Sequence, residues 1–347
     1  MLDRIRLQNF KTHRNTEIKL GRLTVLVGPN GAGKSSVLQA IRMVQRLESP
    51  VDPALTSVKT IAHEGESVGW CTVTVAGTVA GGQPWAYEFA DGPPSGVAPK
   101  IHVRPAQWAG AEEQQSRESQ LAATLLMPNP AQLAAPVPVS VVAPKLASDG
   151  SGLADVVAKM QLEDNDAFQA LQSSLRAVVP QIQRIGVRRI NITRPVKDAD
   201  ILAHELTFDV SGRKGISAGM MSGGTLLALG ILALLHSPAR PRILLLDDID
   251  HGLHPRAQWD LLKQLRALLD RFPDLQIVAT SHSPDLVDEL APEEVVVMAL
   301  REDGTTAARP LTDCPREDML GVLKAGQLWS AVGEDWVKDM APAEPAP

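Results

Sequence analysis

Tyrosine occurs once in the 347 residues, and all aromatics together make up 3% of them. A core dominated by Leu, Val and Ala must therefore be packed almost wholly from aliphatic side chains. Cysteine is nearly as scarce, with Cys71 and Cys314 far apart in sequence. Two distant thiols make neither a disulfide framework nor a metal cluster, which suits a reducing cytoplasm. The longest apolar run, Leu226–Leu235, is about half of the ~20 residues that a bilayer span needs. Met1-Leu-Asp-Arg-Ile-Arg lacks the apolar centre of a signal peptide. No membrane partner is expected. Net positive charge is missing too: at −6 the chain has no global attraction for nucleic acid or anionic lipid. Any DNA contact must come from a local patch.

What remains is an ordinary globular balance, 44% hydrophobic and 21% charged, with length enough for one large domain or two modest ones. Apolar–polar alternation at Leu2, Ile5 and Leu7, and again at Ile18 and Leu20, predicts N-terminal strands. Leu23–Val27 is a continuous apolar run, the pattern of a strand buried on both faces. A helix is expected from Lys34 to Leu47, and a hairpin from Cys71–Val79 and Trp85–Phe89 through Gly81-Gly82. Prolines break up residues 91–150, leaving room for one polar helix between Ala111 and Leu126. Helical signals return from Gly152 to Val179. Strands are expected at Ile182–Ile192, His204–Val210 and Leu275–Ala279, and a helix over Pro315–Leu328.

Gly28-Pro-Asn30-Gly31-Ala-Gly33-Lys34-Ser35 fits G-x-x-x-x-G-K-[ST] between a buried strand and a helix. Glycines let backbone N–H groups curl around a phosphate, and the helix N-terminus adds partial positive charge. Lys34 reaches the β- and γ-phosphates, and the Ser35 hydroxyl ligates magnesium. The alternative is a simple glycine-rich turn, which the flanking strand and helix disfavour.

Arg242-Ile-Leu-Leu-Leu-Asp247-Asp248-Ile249-Asp250 is an apolar strand ending in acids. Asp247 is the magnesium candidate, and Asp248 the group that positions an attacking water. Met221-Ser222-Gly223-Gly224-Thr225 opens an apolar helix and offers a second anion site, or only a Ser N-cap. His282, in Thr280-Ser281-His282-Ser283-Pro284, can bond a γ-phosphate, or serve as a cap or surface residue. The helix Arg256–Phe272 carries an apolar stripe at Trp259, Leu262, Leu265, Leu268, Leu269 and Phe272, which reads as core packing.

In this order the motifs resemble an ABC-type ATPase of the RecF/SMC group, in the branch of the overcoming-lysogenization-defect (OLD) nucleases and related stand-alone ATPases. Asn9-Phe10-Lys11 with Val27–Ser36 looks like the group's opening; Leu245–Pro255 and Ala279–Pro284 look like its closing blocks. The resemblance covers residues 1–45 and 205–300. It implies an α/β P-loop NTPase, an ABC-ATPase head with a mixed central sheet, an antiparallel β lobe and a helical insert. The implied ligands are ATP and Mg2+, with Asn30, Gly31, Gly33, Lys34, Ser35 and Ser36 on the nucleotide. It further implies a head-to-tail homodimer in which Ser222, Gly223 and Gly224 of one copy close over ATP held by the other. Lys34, Asp248 and His282 are then the catalytic candidates.

On that basis the chain divides into 1–104 (phosphate loop and β lobe), 105–180 (helical or irregular insert), 181–300 (second part of the head) and 301–347 (tail). The group usually has Asp-Glu-Pro-Glu where this chain has Asp247-Asp248-Ile249-Asp250, one methylene shorter at the second acid. Slow hydrolysis and a long-lived closed dimer are expected. Gln83, Gln107 and Gln132 are all open as the Q-loop glutamine. OLD nucleases carry a TOPRIM nuclease domain after the ATPase, and no second acidic cluster of that kind follows here.

The expected function is ATP binding and hydrolysis in DNA repair or phage defence, controlling a separate, nuclease-like effector. The basic run Arg184, Arg188, Arg189, Arg194 and Lys197 is a DNA candidate or a solvated strand face. One alternative is a membrane-transporter ATPase subunit, against which stand the Asn-Phe-Lys opening and the long gap from Lys34 to Ser222. The other is an ATP-gated scaffold with little hydrolysis.

Overall fold

The computed structural model describes residues 1–46, 71–78, 84–91, 123–139, 144–193 and 200–339. In chain order the first elements are β1 (Leu2–Phe10), β2 (His13–Lys19), β3 (Leu23–Val27), α1 (Lys34–Arg46), β4 (Cys71–Thr78), β5 (Pro84–Asp91) and β6 (Ala123–Leu126). Next come α2 (Pro130–Ala134), β7 (Val137–Pro138), α3 (Leu153–Glu163), α4 (Asn165–Val178), β8 (Ile182–Thr193), β9 (Asp200–Val210), β10 (Arg213–Ser217) and α5 (Gly223–His236). The chain closes with β11 (Ile243–Leu246), α6 (Pro255–Arg271), β12 (Gln276–Ser281), α7 (Pro284–Val287), β13 (Val295–Leu300), β14 (Thr306–Pro310), α8 (Ala325–Val332) and α9 (Asp335–Asp339).

These elements form two compact units. The first holds Met1–Leu125, Arg242–Ile249 and Asp274–Pro347; the second holds Leu126–Pro241 and Asp250–Pro273. In the first unit a six-stranded sheet runs β14-β13-β3-β12-β11-β6. β3 pairs in parallel with β12 and β13, and β11 with β12, while β14 returns antiparallel to β13. All five β3 residues are buried, as its unbroken apolar run requires. A four-stranded antiparallel sheet, β2-β1-β4-β5, makes the expected lobe.

Between them lies one aliphatic cluster that includes Leu7, Leu26, Leu38, Ile41, Val75 and Val278. Its members come from both sheets and from α1, so burying them sets α1, and the loop before it, in a fixed place. Gln276 is buried yet satisfied: its amide donates to Leu2 O (2.7 Å) and Gly21 O (2.8 Å), and its oxygen accepts from Leu2 N (2.8 Å). That clamp joins β1 to β12 at the cost of no orphaned polar group.

In the second unit β8 and β9 form a long antiparallel pair, with β7 and β10 also on β9. Helix α5 is buried from Gly224 to Leu235, so it is apolar on every side and lies inside the unit. Helix α6 buries Leu262, Leu265, Leu268 and Leu269; Trp259 and Phe272 are half-buried at the ends of the expected stripe. The register sets Arg188 opposite Glu205 and Arg184 opposite Asp209. Burial alone would raise the Glu205 carboxyl, but hydrogen bonds from Arg188 and Ser217 outweigh it and hold the group below its usual range.

Two expectations fail. The helix placed between Ala111 and Leu126 ends, over Ala123–Leu126, as strand β6; its remainder lies outside the described residues. The tail helix begins at Ala325 and not at Pro315, because the chain turns through Asp318–Gly321 first. Arg194, Lys197 and Gly81-Gly82 lie outside the described residues.

Candidate functional site

Gly28, Gly31 and Gly33 all take positive φ, at 140°, 81° and 90°. Such angles are cheap only for glycine. At Gly28 a second reason applies: a β-carbon there would lie 2.1 Å from the Met298 carbonyl oxygen of β13. Lys34 is buried, and its ammonium donates to the Gly28 and Pro29 carbonyls, both at 2.8 Å. The loop is thus closed on its own lysine, poised at the start of α1. Asn30 and Gly31 are exposed at the tip; Ser35 and Ser36 are half-buried in the first helical turn.

Parallel pairing of β11, β12 and β3 carries three strand ends to one place in this unit. Ser35 Oγ donates to Asp247 Oδ1 at 2.9 Å. The Thr280 hydroxyl lies 2.8 Å from the same oxygen and 3.4 Å from Asp248 Oδ1, and it accepts from Asp248 N at 2.8 Å. Thr280 is wholly buried and acts as the hub of this cluster. Asp248 adopts φ 52°, a left-handed conformation that Asp tolerates better than most residues. Its half-exposed carboxylate stands 3.9 Å from His282 Nε2.

Hydroxyl and carboxylate oxygens at this spacing suit a magnesium ion, which takes few protein ligands and completes its shell with water and phosphate. The donor set fits Mg2+ shared with a phosphate, not a closed protein cage.

The second unit carries Ser222, Gly223 and Gly224. Ser222 caps α5, accepting from Thr225 N at 3.2 Å. Gly224 packs against the turn before α6, where a β-carbon would meet Gly252 O at 2.1 Å. An open cleft of about 570 Å³ in this unit is lined by Gln181, Ser222, Thr225, Gly252, His254 and Arg256, among others. Residues at the N-terminal ends of α5 and α6 thus line it together. Of the Q-loop candidates, Gln132 is exposed on α2, and Gln83 and Gln107 lie outside the described residues. Sequence reasoning passed over Thr280, His254 and Arg256. Only Thr280 had a usable signal, as a hydroxyl at the end of the strand after the acidic one.

An AAA ATPase domain family model matches residues 1–68. A second model, an AAA domain whose description names an AbiEii toxin of a type IV TA system, matches residues 146–288. The SMC head bound to the C-terminal winged-helix domain of ScpA superposes with a TM-score of 0.58 at 13% identity, over 89% of this chain and 96% of that one. A Pyrococcus furiosus Smc head gives a TM-score of 0.56 at 11% identity, over 90% and 97%. The fold is that of an ABC-type ATPase head, and the matched sequences are similar to those of AAA ATPase domains.

Local identities agree. An OLD nuclease of Thermus scotoductus is 48% identical over 44 residues, 13% of this chain and 8% of that protein. A DNA double-strand break repair Rad50 ATPase of Methanopyrus kandleri is 48% identical over 44 residues, 12% of this chain and 5% of that one. The Septu protein PtuA of Bacillus thuringiensis is 33% identical over 69 residues, 20% and 17%. The matched stretches are thus a small part of these relatives. Among the described residues, no helix of this head is long and apolar enough to cross a membrane.

Proposed function

We propose that this ATPase head binds magnesium-ATP on Gly28–Ser35, hydrolyses it slowly, and pairs with a second copy whose Ser222–Gly224 turn covers the nucleotide. The closed pair controls a separate nuclease-like effector in DNA repair or phage defence. The observation that carries the reading is the chain of contacts from Ser35 Oγ to Asp247 Oδ1 to Thr280 Oγ1, beside a glycine loop closed on Lys34. It supports a site built for a triphosphate and a hard cation. The bound magnesium would neutralise charge developing on the phosphate oxygens.

In this reading Lys34 exchanges its two carbonyl partners for the β- and γ-phosphates, and backbone donors of Asn30 to Ser36 surround them. Ser35 and Asp247 face the cation. Asp248 accepts a hydrogen bond from the attacking water, and His282 Nε2 donates to the γ-phosphate. Asp248 is one methylene shorter than the glutamate usual in the group. Misplacing a reacting group by about 1 Å costs roughly 100-fold in rate, which makes slow turnover the expectation. The open cleft at Ser222, with its two helix N-termini, suits the anionic face of a partner's nucleotide. Relatives named for a nuclease and for double-strand break repair support a nucleic-acid setting.

Phosphate release and size-exclusion chromatography with magnesium-ATP, for the parent and Lys34→Ala, test this. The parent should release phosphate and elute as a dimer only with nucleotide, and Lys34→Ala should do neither. Equal behaviour of the two would overturn the reading. Strong dimerisation without phosphate release would leave an ATP-gated scaffold. Double-stranded DNA should raise the rate, and added salt should erase that gain.

A further inference from the structure

The phosphate loop is held from behind by residues that no motif contains. Gly33 is approached so closely that a β-carbon would lie 2.7 Å from His13 Nε2, 2.8 Å from Thr306 Oγ1 and 2.9 Å from Thr12 Oγ1. His13 opens β2, Thr306 opens β14, and both are buried. The Thr306 hydroxyl lies within donating distance of the Ala32 carbonyl (3.2 Å) and of Thr12 Oγ1 (2.7 Å). His13 Nε2 lies 3.2 Å from the Gly33 carbonyl, and Nδ1 has no partner. A carbonyl only accepts, so Nε2 carries the proton and donates.

Stereochemistry then fixes what these two bonds do. In a planar trans peptide the C=O and the following N–H point in opposite directions. Holding the Ala32 carbonyl against Thr306 turns the Gly33 N–H the other way, away from the sheet. Holding the Gly33 carbonyl towards His13 and the first turn of α1 turns the Lys34 N–H away likewise; Ser36 N and Val37 N donate to that same carbonyl at 3.0 and 3.2 Å. These two N–H groups are the donors a β-phosphate meets at the start of α1.

We infer that Thr306 and His13 are positioning residues, which aim the Gly33 and Lys34 amides at the phosphates by gripping the carbonyls behind them. The inference deepens the proposed triphosphate site and rests on it. Thr306 is itself braced: its N–H donates to Thr12 O at 2.8 Å, and its carbonyl accepts from Thr16 Oγ1 at 3.3 Å and Arg301 Nη1 at 3.4 Å. The turn between β1 and β2 is thereby locked between the loop and β14.

Titration calorimetry with a non-hydrolysable ATP analogue tests this on the parent, Lys34→Ala, Thr306→Val and Thr306→Ser, with a melting curve for each. Val keeps the volume and removes the proton; Ser restores the proton. Thr306→Val should bind roughly three- to tenfold more weakly, the scale of one neutral hydrogen bond. Its KM should rise while kcat holds, because the reacting groups are untouched. Thr306→Ser should lie within about twofold of the parent, that is, below the loss expected for one such bond. Parent-like binding by Thr306→Val, or equal loss in both variants, overturns the inference while the ATP site stands. A parent that binds no ATP analogue removes both. Should Thr306→Val fail to fold, the pair His13→Leu and His13→Gln decides: Gln keeps a donor and should bind better than Leu, and equal binding overturns the inference.

Discussion

The Thr280 hydroxyl rests 2.8 Å from the same Asp247 oxygen that accepts from Ser35 at 2.9 Å. One carboxylate oxygen therefore meets hydroxyls from the end of β12 and from the first turn of α1. Thr280→Val preserves the strand and the volume but leaves Asp247 and the Asp248 amide without that partner. Residues that orient metal-facing groups are commonly worth about 10- to 100-fold. ATP turnover should fall by that factor, with a higher magnesium requirement, and Thr280→Ser should recover most of it. Unchanged magnesium dependence in Thr280→Val would refute the role.

Asp248→Glu should raise turnover by about tenfold or more if reach is what limits the water-positioning group. Asp248→Asn keeps the shape and loses the charge, and should be nearly inactive. Single-turnover phosphate release separates these outcomes. No gain from Asp248→Glu would place the slow step elsewhere.

Gly224→Ala would drive a methyl group to 2.1 Å from the Gly252 carbonyl, inside the second unit. Backbone cannot yield as a flexible side chain does, so a loss of about 1–3 kcal/mol is expected. The melting temperature should drop, and nucleotide-dependent pairing should weaken with it. Gly212→Ala is the control: its β-carbon meets nothing within 4 Å, and only its φ of 84° is strained. Equal melting temperatures for the two variants would argue against close packing at Gly224.

Burial, with the nearby Arg271 charge, lowers His236 to about 4, and burial lowers His13 to about 4 although the Gly33 carbonyl favours the charged ring. An unfolded histidine titrates near about 6.5. Between these values the unfolded chain binds more protons than the folded one. Stability is therefore complete above about pH 6.5, declines as pH falls through the window, and levels below about 4. For His13, the more deeply buried ring, the full loss is about 3 kcal/mol. Urea midpoints at about pH 7 and about pH 4.5 should show the decline, smaller in His236→Gln. Identical midpoints in the parent would contradict it.

Continuous apolar runs and phosphate-loop spacing were readable because local physics dictates them. Leu23–Val27 is a strand in both sequence and structure, and α1 runs from Lys34 to Arg46 against an expected end at Leu47. The proline-rich stretch was less legible, though Asn129-Pro130 is a helix-start signal: Asn129 caps α2 and Pro130 fills its first turn. The pattern at Pro315–Leu328 predicts too early a start for the tail helix, because its helix-forming residues mask Gly321, whose φ is 79°. Further on, Gly326 lies so close to α7 that a β-carbon would meet Pro284 O at 2.0 Å, a tertiary constraint no local pattern encodes. Thr306 and His13 carried no signal. Sheet pairing brings them to Gly33 from opposite ends of the chain.

That pairing bears on the order in which the chain can mature. The loop at Gly28–Ser35 is synthesised well before β13 and β14, yet Met298 closes over one of its glycines and Thr306 over another. A nascent chain that stops short of β14 holds the motif without its rear wall. Nucleotide binding is therefore expected only once β14 has been made, and a truncation near residue 300 should disable the loop at Gly28–Ser35 and not merely remove a strand.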